Sequence, residues 1–242
     1  MPEVYCTLHS RELLEEVFKR FLIEETDEEG ELFIISPWIT RVGFEEPLVY
    51  HPYLDAEDNI EALTQLAELG KRIFIVTRYY DDILKPNRIY SWYQLYKVYV
   101  TNPLSELGEL YREMVEEVRH ILSRIEALEE LTVRNNIFVR FNNRIHAKIY
   151  VGKKYAIIGS ANFTRYALKN FNDECVLLIS REEEEELYLQ IRGYAARYFN
   201  TALNEELCER NFLRRLSASK LDRLGIRFEN LASVKSFLMS LI

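Results

Sequence analysis

The sequence has 242 residues, of which 48% are apolar and 29% charged. This is the balance of a globular protein with a sizeable core, and it excludes a chain that is disordered throughout. The net charge of −8 argues, taken alone, against a nucleic-acid partner, and no apolar run approaches the roughly 18 residues that a membrane span needs.

The first half of the chain is predicted to be an α/β unit. An amphipathic helix begins after Ser10, a residue suited to the N-cap, and residues 31–36 form a buried strand. A second helix begins at Asp58 and ends at Gly70, and residues 72–77 form the next strand. A strand, a helix and a strand in this order predict parallel pairing through a right-handed crossover.

The second half is predicted to contain one long helix and four short strands. Apolar residues recur at steps of three and four between residues 105 and 131, which predicts a helix about 40 Å long at about 1.5 Å per residue. Residues 79–101 show no clear period and are expected to be irregular, and residues 207–242 are expected to be helical. The four runs typical of strands are residues 137–140, 145–151, 156–158 and 174–179.

The charge is unevenly distributed along the chain. Residues 131–172 contain no Asp or Glu and eight Lys or Arg, so this segment carries +8. The rest of the chain then carries −16. An acidic body with one strongly basic segment is typical of a local anion-binding site.

The basic segment contains the residues that suggest chemistry. His146 and Lys148 are two apart in a predicted strand, so their side chains leave the same face of the sheet. Ser160 and Asn162 follow the next strand, which is expected to lie beside the first, and Glu174 begins another. A nucleophile or base, a cation and neutral donors can therefore converge on one point, as a phosphoryl group requires.

These residues resemble the phospholipase D superfamily, whose motif is His-x-Lys-x4-Asp followed by Gly-Ser-x-Asn. The resemblance covers residues 1–200 and implies a catalytic domain of the α/β class, with a mixed, largely parallel sheet flanked by helices. Residues 105–131 are then a long inserted helix, and residues 201–242 a helical C-terminal extension. The sequence departs from the motif at Lys153, where the family usually has Asp, and this puts the support of the local turn in question more than the reaction.

The resemblance also implies a role for each residue. His146 of one subunit attacks phosphorus, and His146 of the other protonates the leaving oxygen and then activates water. Both copies of Lys148, with Asn162, hold the non-bridging oxygens, and Ser160 supports the same pocket. Glu174 is expected to accept the other ring N–H of His146. Since only one His-x-Lys occurs, and single-motif members of the family are homodimers, the resemblance implies a homodimer with a shared site.

Cofactors, flanking residues and cysteines complete the set of predictions. No metal or other cofactor is expected, because the lysines would supply the charge stabilisation. Lys153, Lys154 and Arg165 flank the motif and are interpreted either as contacts to neighbouring phosphates or as a solvated surface. The aromatic residues at 79–99 could stack on bases, but a core or a dimer face is preferred. The odd cysteine count and the absence of a signal-peptide pattern favour a reduced, cytoplasmic chain, with Cys175 in the core.

Three function classes remain open. The favoured one is a metal-independent phosphodiesterase that acts on nucleic acid, on DNA rather than RNA, through a phosphohistidine. A phospholipase is disfavoured by the single motif, the acidic body and the lack of a basic amphipathic helix that would bind a membrane. A catalytically silent nucleic-acid-binding module is disfavoured because the motif is intact apart from Lys153.

Overall fold

The structure is a computed structural model. It describes residues 1–7, 14–26, 30–50, 52–103, 107–169 and 172–242. The predicted cap Ser10 and the predicted start of the long helix at residue 105 lie outside these ranges. The described chain forms two compact units, one joining residues 1–78 to 127–203 and the other joining residues 79–126 to 204–242.

A seven-stranded sheet forms the centre of the first unit, and a two-stranded hairpin accompanies it among the described residues. The strands of the large sheet are β1 (Glu3–Cys6), β2 (Glu31–Ile35), β5 (Arg72–Thr77), β6 (Ile137–Phe141), β7 (Ile149–Val151), β8 (Tyr155–Gly159) and β9 (Cys175–Ser180). Those of the hairpin are β3 (Gly43–Tyr50) and β4 (Leu54–Asp58). The order in the large sheet is β1-β9-β8-β7-β2-β5-β6.

The sheet is mixed, as predicted, but it is not largely parallel. Strands β2, β5 and β6 pair in parallel, which confirms the interpretation of the strand, helix and strand around residues 31–77. The pairs β1–β9, β2–β7, β7–β8 and β8–β9 are antiparallel. Residues 152–154 link β7 to β8 in a tight turn, and a parallel pair would need a crossover of about a dozen residues.

Helices belong to both units. The first unit contains α1 (Leu14–Ile23), α2 (Asn59–Glu68), α5 (Arg165–Leu168) and α6 (Glu185–Thr201). The second contains α3 (Pro86–Thr101), α7 (Glu205–Ser217), α8 (Lys220–Arg223) and α9 (Leu231–Met239). The predicted long helix is α4 (Gly108–Thr132), and the boundary between the units falls after Glu126 within it.

The prediction of an irregular segment at residues 79–101 is wrong for most of its length, because α3 occupies it. The helix begins with Pro86, which is favourable at a first helical position. Only Ile89 and Trp92 are buried within it, and its four tyrosines are half-buried. Tyr99 stacks on Tyr111 of α4 with ring centroids 3.9 Å apart. The helix therefore lacks the single apolar stripe by which a sequence pattern reveals a helix.

Helices cover both faces of the large sheet. Ile35 and Val151 belong to a buried cluster with Tyr188 and Phe199 of α6. On the opposite face, Phe18 of α1 packs edge-on against Tyr150, with ring centroids 4.7 Å apart.

The structure corrects the prediction for the cysteines. Cys6 of β1 lies directly opposite Cys175 of β9 in the antiparallel register, and the two sulfurs form a disulfide. Cys175 is exposed rather than part of the core. The pairing was not predictable from spacing, because the two cysteines are 169 residues apart in the sequence.

Candidate active site

The predicted catalytic residues lie together at one edge of the large sheet. This edge is formed by the ends of several strands and not by an outer strand. Strands β2, β5 and β8 end at this edge, and β7 and β9 begin there, because their directions alternate. Lys148 precedes β7, Ser160 follows β8 and Glu174 precedes β9. The backbone N–H of Gly159 donates to the Lys148 carbonyl at 3.3 Å, and that of Ser160 donates to the Cys175 carbonyl at 2.9 Å. The three segments are therefore direct neighbours.

His146 and Lys148 form the centre of the site. They precede β7 instead of lying within a strand, because β2 ends at Ile35 and offers no partner before Ile149. Lys148 Nζ nevertheless lies 3.2 Å from His146 Nδ1 and 2.9 Å from the His146 carbonyl oxygen, to which it donates a hydrogen bond. The imidazole is exposed, whereas Lys148 is only 9% exposed. The buried ammonium group of Lys148 therefore lies against the solvent-exposed imidazole of His146.

The surroundings of Lys148 lower its pKa. Burial lowers the pKa of Lys148 from its ordinary value, and the positive charge of Arg78 lowers this pKa as well. The carboxylate of Glu174 raises the pKa and so opposes both effects. A bound anion would act in the same direction as Glu174, so the site is electrostatically prepared for negative charge.

Glu174 is linked to Ser160 rather than to His146. The Ser160 hydroxyl donates to a carboxylate oxygen of Glu174, and Ser160 Oγ accepts the backbone N–H of Cys175 at 2.9 Å. Within the described ranges, no hydrogen bond joins Glu174 to the His146 ring, whose Nδ1 faces Lys148 instead. The contact expected from the sequence is therefore absent in the single chain.

The end of β1 holds Glu174 in place. The Glu174 N–H donates to Thr7 Oγ1 at 2.9 Å, and the Thr7 N–H donates to the Glu174 carbonyl at 3.0 Å. This strand was not predicted from the sequence. The end of this strand fixes the backbone of Glu174, whose carboxylate raises the pKa of Lys148.

Asn162 lies in the loop that follows β8. The loop is held by a hydrogen bond from the Phe163 N–H to Ser36 Oγ at 3.1 Å and by one from the Tyr150 hydroxyl to the Ala161 carbonyl at 2.8 Å. Asn162 Oδ1 is buried and has no hydrogen-bond partner. A buried polar atom without a partner reduces stability, and a ligand that donates a hydrogen bond to Asn162 Oδ1 would remove this cost.

Two of the predicted phosphate contacts lie elsewhere. Lys153 and Lys154 belong to the turn between β7 and β8, at the opposite edge of the sheet from Lys148. Five residues of extended chain correspond to about 16 Å at roughly 3.3 Å per residue. Lys154 Nζ pairs there with Glu24 at 2.8 Å, and both lysines line a cavity of about 380 Å³ with Ser180, where β9 ends. Their proximity to the motif in the sequence is therefore not proximity in space.

Arg165 and Arg78 adjoin the segments that carry the motif. Arg165 is exposed at the first position of α5, shortly after the Asn162 loop. Arg78 immediately follows β5 at the edge that carries the motif, and its Nε donates to the Ile145 carbonyl at 2.8 Å. The sequence prediction did not include Arg78. The available signal was a basic residue directly after a buried strand of the same sheet.

Neither a metal cluster nor a membrane span is found in the part of the chain that the structure describes. No group of three or more His, Cys, Asp or Glu side chains is arranged there to hold a metal ion. None of the described helices is long and apolar enough to cross a membrane.

One protein family and several solved structures are similar to this chain. Residues 45–198 match the family described as "Cardiolipin synthase, PLD-like domain", whereas comparison with curated protein sequences finds no match. The solved structure of NucT from Helicobacter pylori is similar, with 13% identity and a TM-score of 0.48 over 84% of this chain and 98% of that chain. Nuc from Salmonella typhimurium, a phospholipase D family member, shows 14% identity and a TM-score of 0.47 over 84% of this chain and 97% of that chain. TrmBL2, an archaeal chromatin protein, shows 8% identity and a TM-score of 0.39 over 84% of this chain and 53% of that chain.

Proposed function

Since the chain belongs to the phospholipase D superfamily of PLD-like domains, we propose that it is a phosphodiesterase that hydrolyses nucleic acid, DNA in preference to RNA, with His146 as its nucleophile. The observation that supports the proposal is the contact of the buried Lys148 ammonium with the accessible His146 ring. An imidazole can attack phosphorus, and a desolvated cation beside it stabilises the charge of the phosphoryl oxygens.

The proposed reaction has two steps. A ring nitrogen of His146 forms a bond to phosphorus while the bond to the leaving oxygen breaks, and that oxygen takes a proton from His146 of a second copy. Water then attacks the phosphorus of the phosphohistidine and gives a proton to His146 of the second copy. The bond between phosphorus and His146 of the first copy breaks in the same step. Lys148 and Asn162 hold the non-bridging oxygens in both steps. Glu174 stabilises the positive charge of the site through Lys148, and Ser160 orients Glu174.

A second copy is required because each step needs a proton carrier opposite the nucleophile. No histidine in the sequence other than His146 is followed two residues later by a lysine. A two-fold axis would place two copies of His146 and Lys148 face to face, which is the symmetry most common in soluble homodimers. The proposed site is therefore completed by a homodimer.

The first prediction concerns the substrate and the requirement for metal. Plasmid DNA, a single-stranded oligonucleotide, RNA and phosphatidylcholine vesicles are each incubated with the protein in excess EDTA. Hydrolysis of the DNA substrates is expected to persist, because imidazole and lysine replace the functions of a divalent ion. Loss of activity that magnesium restores would contradict the histidine mechanism. Hydrolysis of phosphatidylcholine alone would identify a lipid enzyme. If no substrate is hydrolysed, the protein is a catalytically silent module.

The second prediction concerns the shared site. When wild-type and His146→Ala chains are mixed and allowed to exchange subunits, a mixed dimer has one histidine in its single site and should be inactive. Activity is therefore expected to fall as the square of the wild-type fraction. A linear decrease, or an active monomer in sedimentation experiments, would show that each chain carries a complete site.

A further inference from the structure

Arg78 lies in the candidate site but has no role in the two steps described above. It follows β5 at the edge that carries His146 and Lys148, and Thr77 beside it is fully buried. The Arg78 N–H donates to the Pro37 carbonyl at 3.3 Å, so the backbone here joins the ends of β2 and β5. The side chain therefore projects from a rigid part of the sheet edge.

The guanidinium group of Arg78 is held by its neighbours in the fold, including Ile145 and Trp38. Arg78 Nε donates to the Ile145 carbonyl at 2.8 Å, one residue before His146. The guanidinium carbon also lies 5.9 Å from the ring centroid of Trp38, within the range of a cation–π interaction. An arginine held in this way loses little further entropy when it binds an oxyanion.

The positive charges of Arg78 and Lys148 are close enough to affect each other. Arg78 contributes to the lowered pKa of Lys148, so the two cations repel across the segment that contains His146. Glu174 is the carboxylate that counters Lys148. An anion bound near both groups would interact favourably with each positive charge.

We propose that Arg78 is a second phosphate-binding residue of the site, and that it binds the phosphate next to the one that is cleaved. Lys148 is anchored to the carbonyl of His146, and Arg78 to the carbonyl of the residue before it. The two cations can then contact successive phosphates of one strand. This inference rests on the proposed function and adds that the substrate must carry at least two neighbouring phosphates.

The test compares a substrate that has neighbouring phosphates with one that has a single phosphodiester. Arg78→Gln keeps a side-chain N–H for the Ile145 carbonyl and removes the charge. This variant is expected to reduce kcat/KM at least about 10-fold for a single-stranded oligonucleotide and less than about 3-fold for bis(p-nitrophenyl) phosphate. Arg78→Lys, which restores the charge without the planar guanidinium group, should recover part of the loss. Arg72→Gln, at the opposite end of the same strand, is the matched control and should leave both rates unchanged.

Binding provides a second readout that does not depend on turnover. In a His146→Ala background, Arg78→Gln should reduce the slope of log affinity against log salt concentration by about 0.7, the value for one lost contact to a single strand. Equal losses on both substrates, failure of Arg78→Lys to recover activity, or an unchanged salt slope would each overturn the proposal. If the wild-type protein hydrolyses neither substrate, the proposed function fails, and the salt slope still decides the role of Arg78.

Discussion

Replacement of His146 by alanine is expected to reduce phosphodiester hydrolysis at least about 1000-fold. In the proposed reaction this residue is the nucleophile in one subunit and the general acid and base in the other, so the substitution removes both functions. The imidazole is exposed and contributes no packed core surface, so the thermal unfolding midpoint should remain close to that of the wild type. The rate is measured in a single turnover of an oligonucleotide in EDTA.

The affinity for nucleic acid separates loss of chemistry from loss of binding. Affinity should remain within about twofold of the wild type, because the cations proposed to bind phosphate are retained. His120→Ala, at an exposed position of α4, is the matched control and should retain full activity. A His146→Ala protein that still hydrolyses the oligonucleotide at a substantial fraction of the wild-type rate would exclude His146 as the nucleophile.

Replacement of Lys148 by methionine is expected to reduce the hydrolysis rate by about 100- to 1000-fold, the usual effect of removing one group that stabilises transition-state charge. Methionine retains the apolar stem of the buried side chain and removes a desolvated ammonium. The free energy of unfolding should therefore not fall, and it can rise. Rates and unfolding midpoints are measured on the same preparations. A parallel loss of activity and stability would indicate that Lys148 supports the fold rather than the reaction.

Much of the parallel part of the sheet was predictable because its signals are local. Asp58 caps α2 as expected, with its side chain accepting the N–H groups of Ile60 and Glu61 at 2.8 and 2.9 Å. Gly70 follows the helix with a positive φ of 100°, a conformation that other residues rarely adopt. Strand β1 could not be predicted in the same way. It has four residues, and its partner β9 is about 170 residues away in the sequence.

The candidate site was predictable where strands that adjoin in sequence also adjoin in space. The side chains predicted to converge do lie at one sheet edge: His146, Lys148, Ser160, Asn162 and Glu174. Of the two interpretations of Lys153 and Lys154, the solvated surface fits the structure better, because β7 carries the chain across the sheet to its other edge. Arg78 was missed because only tertiary structure places the end of β5 beside Ile145. The hydrogen bond expected between Glu174 and His146 is not found in the described part of the single chain, where strand register places Ser160 next to Glu174.

The stereochemical course at phosphorus tests the central claim most directly. A chiral phosphorothioate diester is hydrolysed in ¹⁸O-labelled water, and the configuration of the product is determined. Each in-line displacement inverts the configuration at phosphorus. Attack by His146 followed by attack of water therefore predicts net retention of configuration. Net inversion would show that water attacks the diester directly, and it would contradict the phosphohistidine intermediate on which the account depends.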